Sequence, residues 1–439
     1  MIAGTHSGAG KTTITCAILQ ALRNRNLDIS SFKCGCDYID PMFHQKIMGV
    51  RTCHLDAFFC EKEMLCHLLK THAGRYNLIE GVMGFYDGLN TSSCAVAELT
   101  DTPVILVLDC KGMSHSLGAV MQGFLHYQKS NHIKGFIFNR LPEKLTSLAQ
   151  QLCDELHTEY FGFFPTMKNS FQSRHLGLVT ADEINHLQEQ LIQLGEQAEK
   201  TIQIDKLLTL DAPVPAFQLP EIQPISGKSP VIAVSKDEAF CFLYPENIEL
   251  LEKSGCQILY FSPLHDAHLP DADGLILCGG YPELYADDLA KNQSMKSEIV
   301  QKIRAGMPVI AECGGFLYLH QILEDKQNQR FAMANLFQET AFPTPRLQRF
   351  GYITMTAKKN NLLCRMGETL RAHEFHYWDS TNPGADFSAV KTDGRSWECV
   401  HADETSYLGF PHLYFYGNLR AADNFVRACQ NYQKGNRNA

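Results

Sequence analysis

Near its start the chain reads Ile2-Ala3-Gly4-Thr5-His6-Ser7-Gly8-Ala9-Gly10-Lys11-Thr12-Thr13, and an apolar helical pattern follows directly. Glycines let backbone N–H groups close around phosphate oxygens, and the N-terminus of the following helix adds a positive partial charge. The stretch therefore predicts a strand, a phosphate-binding loop around Gly8 and Gly10, and a helix. In such a loop Lys11 reaches the phosphates of a nucleotide, and the hydroxyl of Thr12 can bind Mg²⁺.

The spacing within this loop differs from the common pattern. In G-x-x-x-x-G-K-[ST] the first glycine would occupy the position of Thr5, whereas here it stands one residue earlier, at Gly4. A glycine-rich stretch can also be an ordinary turn. The combination of an apolar pair, Gly10-Lys11-Thr12 and a helical pattern favours phosphate binding.

The composition is that of an ordinary globular protein. The 439 residues are 45% hydrophobic and 20% charged, which suits two or three domains with cores of their own. A net charge of −9 argues against nucleic acid or an anionic membrane as the main partner, because both attract clustered Lys and Arg. The sequence has no apolar run near the roughly 18 residues of a membrane helix and no basic, apolar leader. We expect a soluble, cytoplasmic protein.

The cysteines predict buried, reduced thiols. There are 16 of them, scattered through apolar segments without the regular spacing of a disulfide-rich domain. An alternative is a zinc site built from Cys34, Cys36, Cys53 and His54. It is disfavoured because the sequence contains no C-x-x-C pair.

Short apolar strands alternate with helices up to about residue 200, as in a doubly wound parallel sheet. Residues 183–210 have the pattern of a polar helix, prolines crowd the segment after it, and the alternation restarts at Val231. The predicted strands include Ile29–Lys33, Leu78–Glu80, Pro103–Asp109, Gly135–Asn139, Val231–Val234, Gln257–Phe261 and Asp273–Leu277.

The predicted fold class is therefore α/β with two doubly wound domains. Residues 1–205 form the first domain, with the parallel sheet of a P-loop NTPase. Residues 206–230 form a proline-rich linker, and residues 231–439 form the second domain.

Acidic residues stand at or after the ends of predicted strands in the first domain. Glu80 ends one strand, Asp37 and Asp40 follow another, and Asp87 lies in a glycine-rich turn. The carboxyl ends of parallel strands meet at one edge of a sheet, and Mg²⁺ bound to phosphates takes one or two carboxylates from the protein. These acids are predicted Mg²⁺ ligands. Ordinary turn chemistry is the alternative for Asp37, Asp40 and Asp87.

Cys313 stands out among the cysteines of the second domain. The segment Met307–Leu319 combines an apolar strand, a small-residue turn at Cys313 and a helix. Such a turn presents a nucleophile at a helix N-terminus, where we expect the thiol pKa to fall toward neutrality. Gly279 and Gly280 follow another strand and could offer N–H groups to the oxyanion formed when this thiol attacks an amide. A buried core cysteine is the alternative.

These motifs resemble the cobyrinate a,c-diamide synthase family, in the same order from residue 2 to about residue 425. The resemblance implies a dethiobiotin-synthetase-like ATPase domain followed by a class I glutamine amidotransferase domain with a flavodoxin-like sheet. The segments that carry it are Gly4–Thr13, Phe32–Pro41, Ile79–Gly84, Phe138–Arg140, Arg174–Leu178, Phe240–Asn247, Phe261–Leu264, Gly279–Leu284, Ala311–Gly315 and His373–Tyr377.

For the first domain the resemblance implies ATP and Mg²⁺ as cofactors. The residues that would bind ATP are Gly8, Gly10, Lys11, Thr12, Thr13 and, at the adenine edge, Asn139. Those around Mg²⁺ and the transferred phosphoryl group would be Thr12, Asp40, Glu80 and Asp87. A turn-capping role is the alternative for Asn139.

The implied substrate is a corrinoid or related tetrapyrrole polycarboxylate. Its reacting carboxylates would face Asp37, Tyr38 and Ile39, with Asp37 and Asp40 in catalytic roles. A chain of net charge −9 needs a local basic pocket for such a substrate, and the candidates for this pocket are Lys33, Arg174 and His175. A solvated surface charge is the alternative for Arg174.

For the second domain the resemblance implies L-glutamine as the nitrogen donor, with Cys313 as nucleophile and His412 as its base. His373 and His376 are the competing bases. Class I glutaminases often carry His-x-Glu, but Tyr414 stands two residues after His412. A third member of the catalytic triad is therefore not expected.

The implied activity is ATP- and glutamine-dependent amidation of the a- and c-side-chain carboxylates of cobyrinate through acyl phosphates, in cobalamin biosynthesis. Two alternatives stay open. One is the same double amidation of nickel-sirohydrochlorin, and the other is a nucleotide-binding switch or scaffold without ligase activity. The second is motivated by His6 and Cys36, which depart from the family pattern, and by Tyr414. A homodimer is a further expectation.

Overall fold

The computed structural model describes residues 1–167, 181–218 and 228–437. The chain forms two compact units, Met1–Leu219 and Pro220–Ala439. Each unit is built around β-sheet.

Within the described residues, the first unit contains a sheet of seven strands that all pair in parallel. The strands are β1 (Ile2–Gly4), β2 (Ile29–Cys34), β3 (Arg51–Leu55), β4 (Tyr76–Glu80), β5 (Val104–Asp109), β6 (Ile133–Asn139) and β7 (Glu159–Phe164). Their order across the sheet is β3-β2-β4-β1-β5-β6-β7. The strand before the glycine-rich loop therefore lies at the centre of the sheet, between β4 and β5.

Helices lie between these strands and after the last of them, which confirms the predicted α/β class. They are α1 (Lys11–Asn24), α2 (Ile39–Lys46), α3 (Lys62–His72), α4 (Ser93–Thr100), α5 (Ser116–Tyr127), α6 (Thr146–Glu155), α7 (Ala181–Thr201) and α8 (Ile204–Leu208). The helix predicted over 183–210 is thus two helices. The first three residues of the predicted linker, 206–208, are the last three residues of α8.

The core of the first unit lies where α1 and α7 cover the sheet. Ile14 and Ile18, four residues apart and so on one face of α1, pack in this core with Phe161 of β7 and Leu191 of α7, all of them buried. Burial on both faces also explains the continuous apolar run of β5. This packing fixes the start of α1, and with it the glycine-rich loop, against the central strand.

The second unit contains a sheet of six strands within the described residues. Its strands are β8 (Val231–Ser235), β9 (Gln257–Phe261), β10 (Gly274–Leu277), β11 (Val309–Glu312), β18 (His401–Ala402) and β19 (Ser406–Gly409). The order is β18-β19-β11-β10-β8-β9, and all pairs except β18 with β19 are parallel. The strand predicted at Gln257–Phe261 is confirmed residue for residue.

A second, largely antiparallel sheet in this unit is absent from the sequence predictions. Its strands are β12 (Ile322–Glu324), β13 (Arg330–Ala332), β14 (Thr340–Ala357), β15 (Thr369–Ser380), β16 (Phe387–Lys391), β17 (Ser396–Cys399) and β20 (His412–Leu413). Burial nearly alternates along β15, but its buried positions include Glu374 and His376 and its exposed ones Phe375 and Tyr377, so it lacks the short apolar runs that mark parallel strands.

The remaining helices belong to the second unit. They are α9 (Pro245–Lys253), α10 (Ala286–Lys291), α11 (Gln293–Arg304), α12 (Gly314–Tyr318) and α13 (Leu419–Arg437). In the ranges that the structure describes, none of the helices of either unit combines the length and apolar character needed to cross a bilayer. No disulfide joins any of the sixteen cysteines, which all lie within the described residues, and all but Cys36 and Cys241 are buried.

The close approach of β6 and β7 gives a test of the first unit's packing. A Cβ added to Gly135 would lie 2.1 Å from the carbonyl oxygen of Glu159, whereas one added to Gly123, on the exposed side of α5, meets nothing within 4 Å. We expect Gly135→Ala to lower the free energy of unfolding by about 1–3 kcal/mol. Gly123→Ala should raise it by up to about 1 kcal/mol, because alanine favours the helix.

The midpoints of urea unfolding would measure both changes. Equal midpoints for the two variants would contradict the described spacing of β6 and β7.

Candidate functional site

The glycine-rich loop follows β1 as predicted, and its unusual spacing has a structural cause. A Cβ on Gly4 would lie 2.8 Å from Cγ of Lys11, so the lysine side chain passes directly over the Gly4 backbone. Gly8 and Gly10 have φ of 86° and 100°, values that favour glycine. The early glycine thus gives Lys11 room to reach across the loop.

Lys11 is buried, and carbonyl oxygens surround its ammonium group. Its Nζ donates to the carbonyl oxygens of Met83 and His6, the latter at 3.4 Å. Burial, together with the nearby charge of Lys33, lowers the pKa of Lys11. Met83 has a φ of 46°, which is uncommon for a residue with a side chain. The Ile79–Gly84 segment therefore bends sharply where it meets the lysine.

Asn139, at the end of β6, contacts the same loop. Its Nδ2 donates a hydrogen bond of 2.8 Å to the carbonyl oxygen of Ala9, and a Cβ on Gly10 would lie 2.1 Å from this nitrogen. Asn139 is buried. Its visible contact is with the loop itself, and its predicted position at the adenine edge stays a prediction.

Glu80 ends β4 beside the first turn of α1. Thr12 donates a hydrogen bond of 2.6 Å to Oε1 of Glu80, while Thr13 lies next along α1. Burial raises the pKa of Glu80 to about 7, although Lys33 offsets part of the shift. Among the described residues, Oε2 of Glu80 is buried without a hydrogen-bond partner. A buried carboxylate oxygen beside a threonine hydroxyl fits the ligands that Mg²⁺ takes at a phosphate loop.

Lys33 is a buried lysine surrounded by three carboxylates. Its Nζ lies 2.8 Å from Oδ2 of Asp40, 3.2 Å from Oε1 of Glu80 and 3.7 Å from Oδ2 of Asp37. Burial opposes the charge, but the carboxylates outweigh it and raise the pKa of Lys33 well above its ordinary value. The predicted role of Lys33 in binding substrate carboxylates stays a prediction, and these contacts disfavour it because they match the charge of Lys33 within the protein.

The acidic segment after β2 begins α2. Oδ1 of Asp37 accepts a hydrogen bond of 2.9 Å from the backbone N–H of Ile39, and Tyr38 between them is buried. Burial and the neighbouring Asp40 raise the pKa of Asp37. For Asp40 the balance is reversed, since Lys33 holds its pKa low against the effect of burial. The two acids, both predicted to be catalytic, thus differ in how easily they hold a proton.

The remaining predicted ligands are more dispersed. Oδ2 of Asp87 accepts a hydrogen bond of 3.1 Å from the backbone N–H of Gly84, in the turn after β4. No group of three or more His, Cys, Asp or Glu side chains that could hold a metal ion is found in the part of the chain that the structure describes. Mg²⁺ at a phosphate loop takes most ligands from phosphate and water, so two oxygens from the protein suffice. Arg174 and His175 lie outside the described residues.

In the second unit, Cys313 turns the chain from β11 into α12. Its φ of 47° and ψ of −104° are strained for a residue with a side chain. The glycines that follow allow tight packing, since a Cβ on Gly315 would lie 2.2 Å from the carbonyl oxygen of Leu277. This is the strand, sharp turn and helix predicted from Met307–Leu319.

The electrostatic surroundings of Cys313 differ from the prediction. Burial, followed by the carboxylates of Glu283, Glu374 and Glu312, raises the pKa of the thiol, and the N–H of Gly314 offsets only part of this. The expected fall of this pKa toward neutrality is therefore wrong. The helix that was to stabilise the thiolate has only five residues, and the neighbouring charges are negative. Such a thiol needs a base to remove its proton.

Gly279 and Gly280, after β10, pack against the same turn. The carbonyl oxygen of Gly279 accepts a hydrogen bond of 3.0 Å from Phe242 N. A Cβ on Gly280 would lie 2.0 Å from the carbonyl oxygen of Ala239, and one on Gly314 would lie 2.9 Å from Gly280 N. The Gly280 amide is thereby close to the residue after Cys313, where an oxyanion-binding N–H would be needed.

His412 is the predicted base that lies beside these glycines. A Cβ on Gly279 would be 2.5 Å from Cε1 of its ring. His373 stacks on His412 with ring centroids 5.0 Å apart. His376 has partners for both nitrogens, the carbonyl of Trp378 for Nδ1 and Oε2 of Glu374, at 3.2 Å, for Nε2. The geometry favours His412 over His376 as a base.

Two buried residues near these sites were not predicted. Oε2 of Glu312 lies 3.3 Å from Nδ1 of His412, so a carboxylate accompanies the histidine although none follows it in the sequence. The only feature of the sequence that pointed to Glu312 was that a charged residue ends an apolar strand. His44 lies 3.8 Å from Oε2 of Glu80, and burial lowers its pKa to about 4. A histidine within an amphipathic helix gave no signal.

Comparison with known proteins extends over both units. The CobQ/CobB/MinD/ParA nucleotide binding domain matches residues 1–177, and the CobB/CobQ-like glutamine amidotransferase domain matches residues 231–415. Cobyrinate a,c-diamide synthase of Caldanaerobacter subterraneus subsp. tengcongensis is 36% identical and covers 98% of this chain and 98% of its own length. The chain belongs to the cobyrinate a,c-diamide synthase family.

Another family member, cobyrinate a,c-diamide synthase of Listeria monocytogenes, is 35% identical over 95% of this chain and 96% of its own length. Among solved structures, the MinD cell division protein of Aquifex aeolicus covers 49% of this chain and 98% of its own, with 16% identity and a TM-score of 0.32. Membership of the cobyrinate a,c-diamide synthase family confirms the predicted nucleotide-binding and glutamine amidotransferase domains.

The contact of Asn139 with the loop leads to a prediction about nucleotide binding. Asn139→Ala removes a buried hydrogen bond worth about 1–1.5 kcal/mol and leaves the Ala9 carbonyl without this donor, so Kd for nucleotides should rise about 5- to 12-fold. A residue that only holds the loop affects ATP and GTP by the same factor. A residue that binds adenine affects ATP alone.

Titration calorimetry with both nucleotides distinguishes these outcomes. Asn77→Ala is a matched control, because Asn77 is exposed near the opposite end of β4 and its side chain bonds only to Gly74 among the described residues. A loss confined to ATP would restore the adenine assignment.

Proposed function

We propose that this protein catalyses the ATP- and glutamine-dependent amidation of the a- and c-side-chain carboxylates of cobyrinate, a step of cobalamin biosynthesis. The near full-length relation to cobyrinate a,c-diamide synthases supports the proposal. The observation that carries it is the presence in one chain of a strained cysteine turn, whose preceding residue Glu312 contacts His412, and of a phosphate-loop threonine bonded to the strand-end Glu80.

In the glutaminase reaction, the thiol of Cys313 attacks the side-chain amide carbon of glutamine. His412 accepts the thiol proton and passes it to the departing nitrogen, which leaves as ammonia. The backbone N–H groups of Gly279 and Gly280 stabilise the negative oxygen of the tetrahedral intermediates. Water, deprotonated by His412, then hydrolyses the thioester to glutamate and the free thiol.

In the ligase reaction, a substrate carboxylate attacks the γ-phosphorus of ATP and releases ADP. Ammonia attacks the carbonyl carbon of the resulting acyl phosphate, and phosphate leaves. Activation is needed because hydroxide is a poor leaving group from a carboxylic acid, whereas phosphate leaves readily. Lys11 balances the charge of the transferred phosphoryl group, while Asp37, Tyr38 and Ile39 line the carboxylate's approach.

Mg²⁺ would be held by Thr12 and Glu80 together with phosphate oxygens and water, with Asp40 and Asp87 around it, and would neutralise charge that develops on the phosphates. The carboxylate of Asp40 would lie near Mg²⁺ while it also contacts Lys33, since Oδ2 of Asp40 lies 2.8 Å from Nζ of Lys33. With Lys33 matched internally, Arg174 and His175 are the proposed cations for the substrate's carboxylates. We further propose action in the cytoplasm and a homodimeric state.

The test is glutamine- and tetrapyrrole-dependent ATP hydrolysis, with amide formation on cobyrinate followed by mass spectrometry. Lys11→Ala should abolish amidation from glutamine and from ammonium, because both need the acyl phosphate. Cys313→Ala should lose amidation from glutamine and regain it with added ammonium. The expected losses exceed about 10³-fold, as for removal of a nucleophile.

Two other results would redirect the assignment. Amidation of nickel-sirohydrochlorin in preference to cobyrinate would assign that macrocycle as the substrate. ATP hydrolysis independent of any tetrapyrrole polycarboxylate would support a nucleotide-dependent switch and end the ligase proposal.

A further inference from the structure

We infer that Glu312 is the positioning carboxylate for His412. Class I glutaminases often carry this acid two residues after the histidine, whereas here it is supplied by the strand that precedes the nucleophile. The inference rests on the proposed glutaminase function. It concerns a residue that does not touch substrate and acts through the imidazole of His412.

The two oxygens of Glu312 have different partners in the same short strand. Oε2 lies 3.3 Å from Nδ1 of His412, and Oε1 accepts a hydrogen bond of 2.9 Å from the backbone N–H of Leu413. The carboxylate therefore contacts β20 at two consecutive residues. One contact fixes the backbone of β20, and the other fixes the ring that β20 presents.

Burial makes this arrangement selective for one tautomer. Glu312 and His412 are both buried, with 8% and 1% of their surface exposed. A buried carboxylate without hydrogen-bond donors is costly, so the proton of a neutral His412 is favoured on Nδ1, facing Oε2. The lone pair is then on Nε2, and this is the nitrogen that can take a proton from a thiol.

The surroundings leave the ring of His412 little freedom to turn away. His373 stacks on one face, with an interplanar angle of 19°, and the Gly279 backbone lies against the ring edge at Cε1. A side chain at Gly279 would collide with the ring, which explains the glycine. Ring orientation and tautomer are thus set by separate contacts.

The fold brings the pair together through two sheets. β11, which ends at Glu312, pairs in parallel with β19, where Glu312 is opposite Gly409. The chain leaves β19, crosses to the antiparallel sheet and pairs with β15, where His412 is opposite His373. Glu312 and the nucleophile are consecutive residues, and the histidine arrives from the neighbouring sheet.

Glu374 provides a matched comparison. Like Glu312 it is a buried glutamate whose charge raises the pKa of the Cys313 thiol. Its carboxylate instead contacts Nε2 of His376 and Nε1 of Trp397, each at 3.2 Å. Neutralising either glutamate removes a negative charge near the thiol, but of the two it is Glu312 whose carboxylate contacts the ring of His412.

The experiment measures glutamine hydrolysis by the full-length chain carrying Glu312→Gln or Glu374→Gln. Glu312→Gln keeps the volume and an oxygen for the Leu413 N–H, yet presents an amide N–H to Nδ1, which favours the wrong tautomer. We expect kcat to fall about 10²- to 10⁴-fold, with KM for glutamine changed less than about threefold. Glu374→Gln should change kcat by less than about tenfold, and both variants should retain amidation driven by ammonium.

Several results would overturn the inference. A kcat for Glu312→Gln near that of the wild type would leave Glu312 a purely structural role. Equal losses in both variants would assign the effect to charge near the thiol, and a rise in KM alone would assign it to glutamine binding. Glutamine hydrolysis that persists in Cys313→Ala would instead reject the proposed function, so the two failures are distinguishable.

A measurement on unmodified protein covers the case in which Glu312→Gln fails to fold. The proton NMR spectrum of the wild type should contain a strongly downfield Nδ1–H resonance that disappears in His412→Gln. Absence of this resonance, or ¹⁵N shifts that assign the proton to Nε2, would overturn the inference.

Discussion

In a parallel sheet every strand ends at the same edge, where the chain leaves the sheet and its last side chains meet. Both units of this protein build their candidate sites under this constraint. Glu80 and Asn139 end strands on either side of the central β1 and converge on the loop that follows it. In the other unit, Glu312 and Cys313 come at the end of β11, beside the glycines that follow β10. The two units differ in the lengths of the connections between strands, but in both the candidate site lies at the carboxyl ends of the parallel strands.

The two sites treat buried charge in opposite ways. Around the phosphate loop, Lys33 lies within 3.7 Å of the carboxylates of Asp37, Asp40 and Glu80, so these acids share one cation inside the protein. Around Cys313, buried carboxylates surround a thiol and disfavour its ionised form. In the first arrangement Lys33 keeps Asp40 charged in a low-dielectric region, and in the second the carboxylates keep a nucleophile protonated until a base acts.

Local patterns predicted much of this fold. The apolar runs of β5 and β6, the glycines before Lys11 and the small-residue turn at Cys313 are encoded within a few residues. Pairings across long stretches of chain were not predictable in this way. The contact of Lys33 with Glu80 spans 47 positions, and that of Glu312 with His412 spans 100 positions. The antiparallel sheet was not predicted because its strands mix polar and apolar residues, as loops do.

Because Glu312 and Cys313 are consecutive residues, fewer chain segments of the glutaminase site have to be positioned relative to one another. A nucleophile, a base and an orienting acid from three separate segments require two relative placements to be maintained by packing. Here the separation of acid and nucleophile is set by one peptide unit, about 3.8 Å between Cα atoms. A single non-covalent placement, that of β20 against the end of β11, then determines the whole constellation. Thermal motion can therefore displace the acid, the base and the nucleophile relative to one another in fewer ways than if each came from a separate segment.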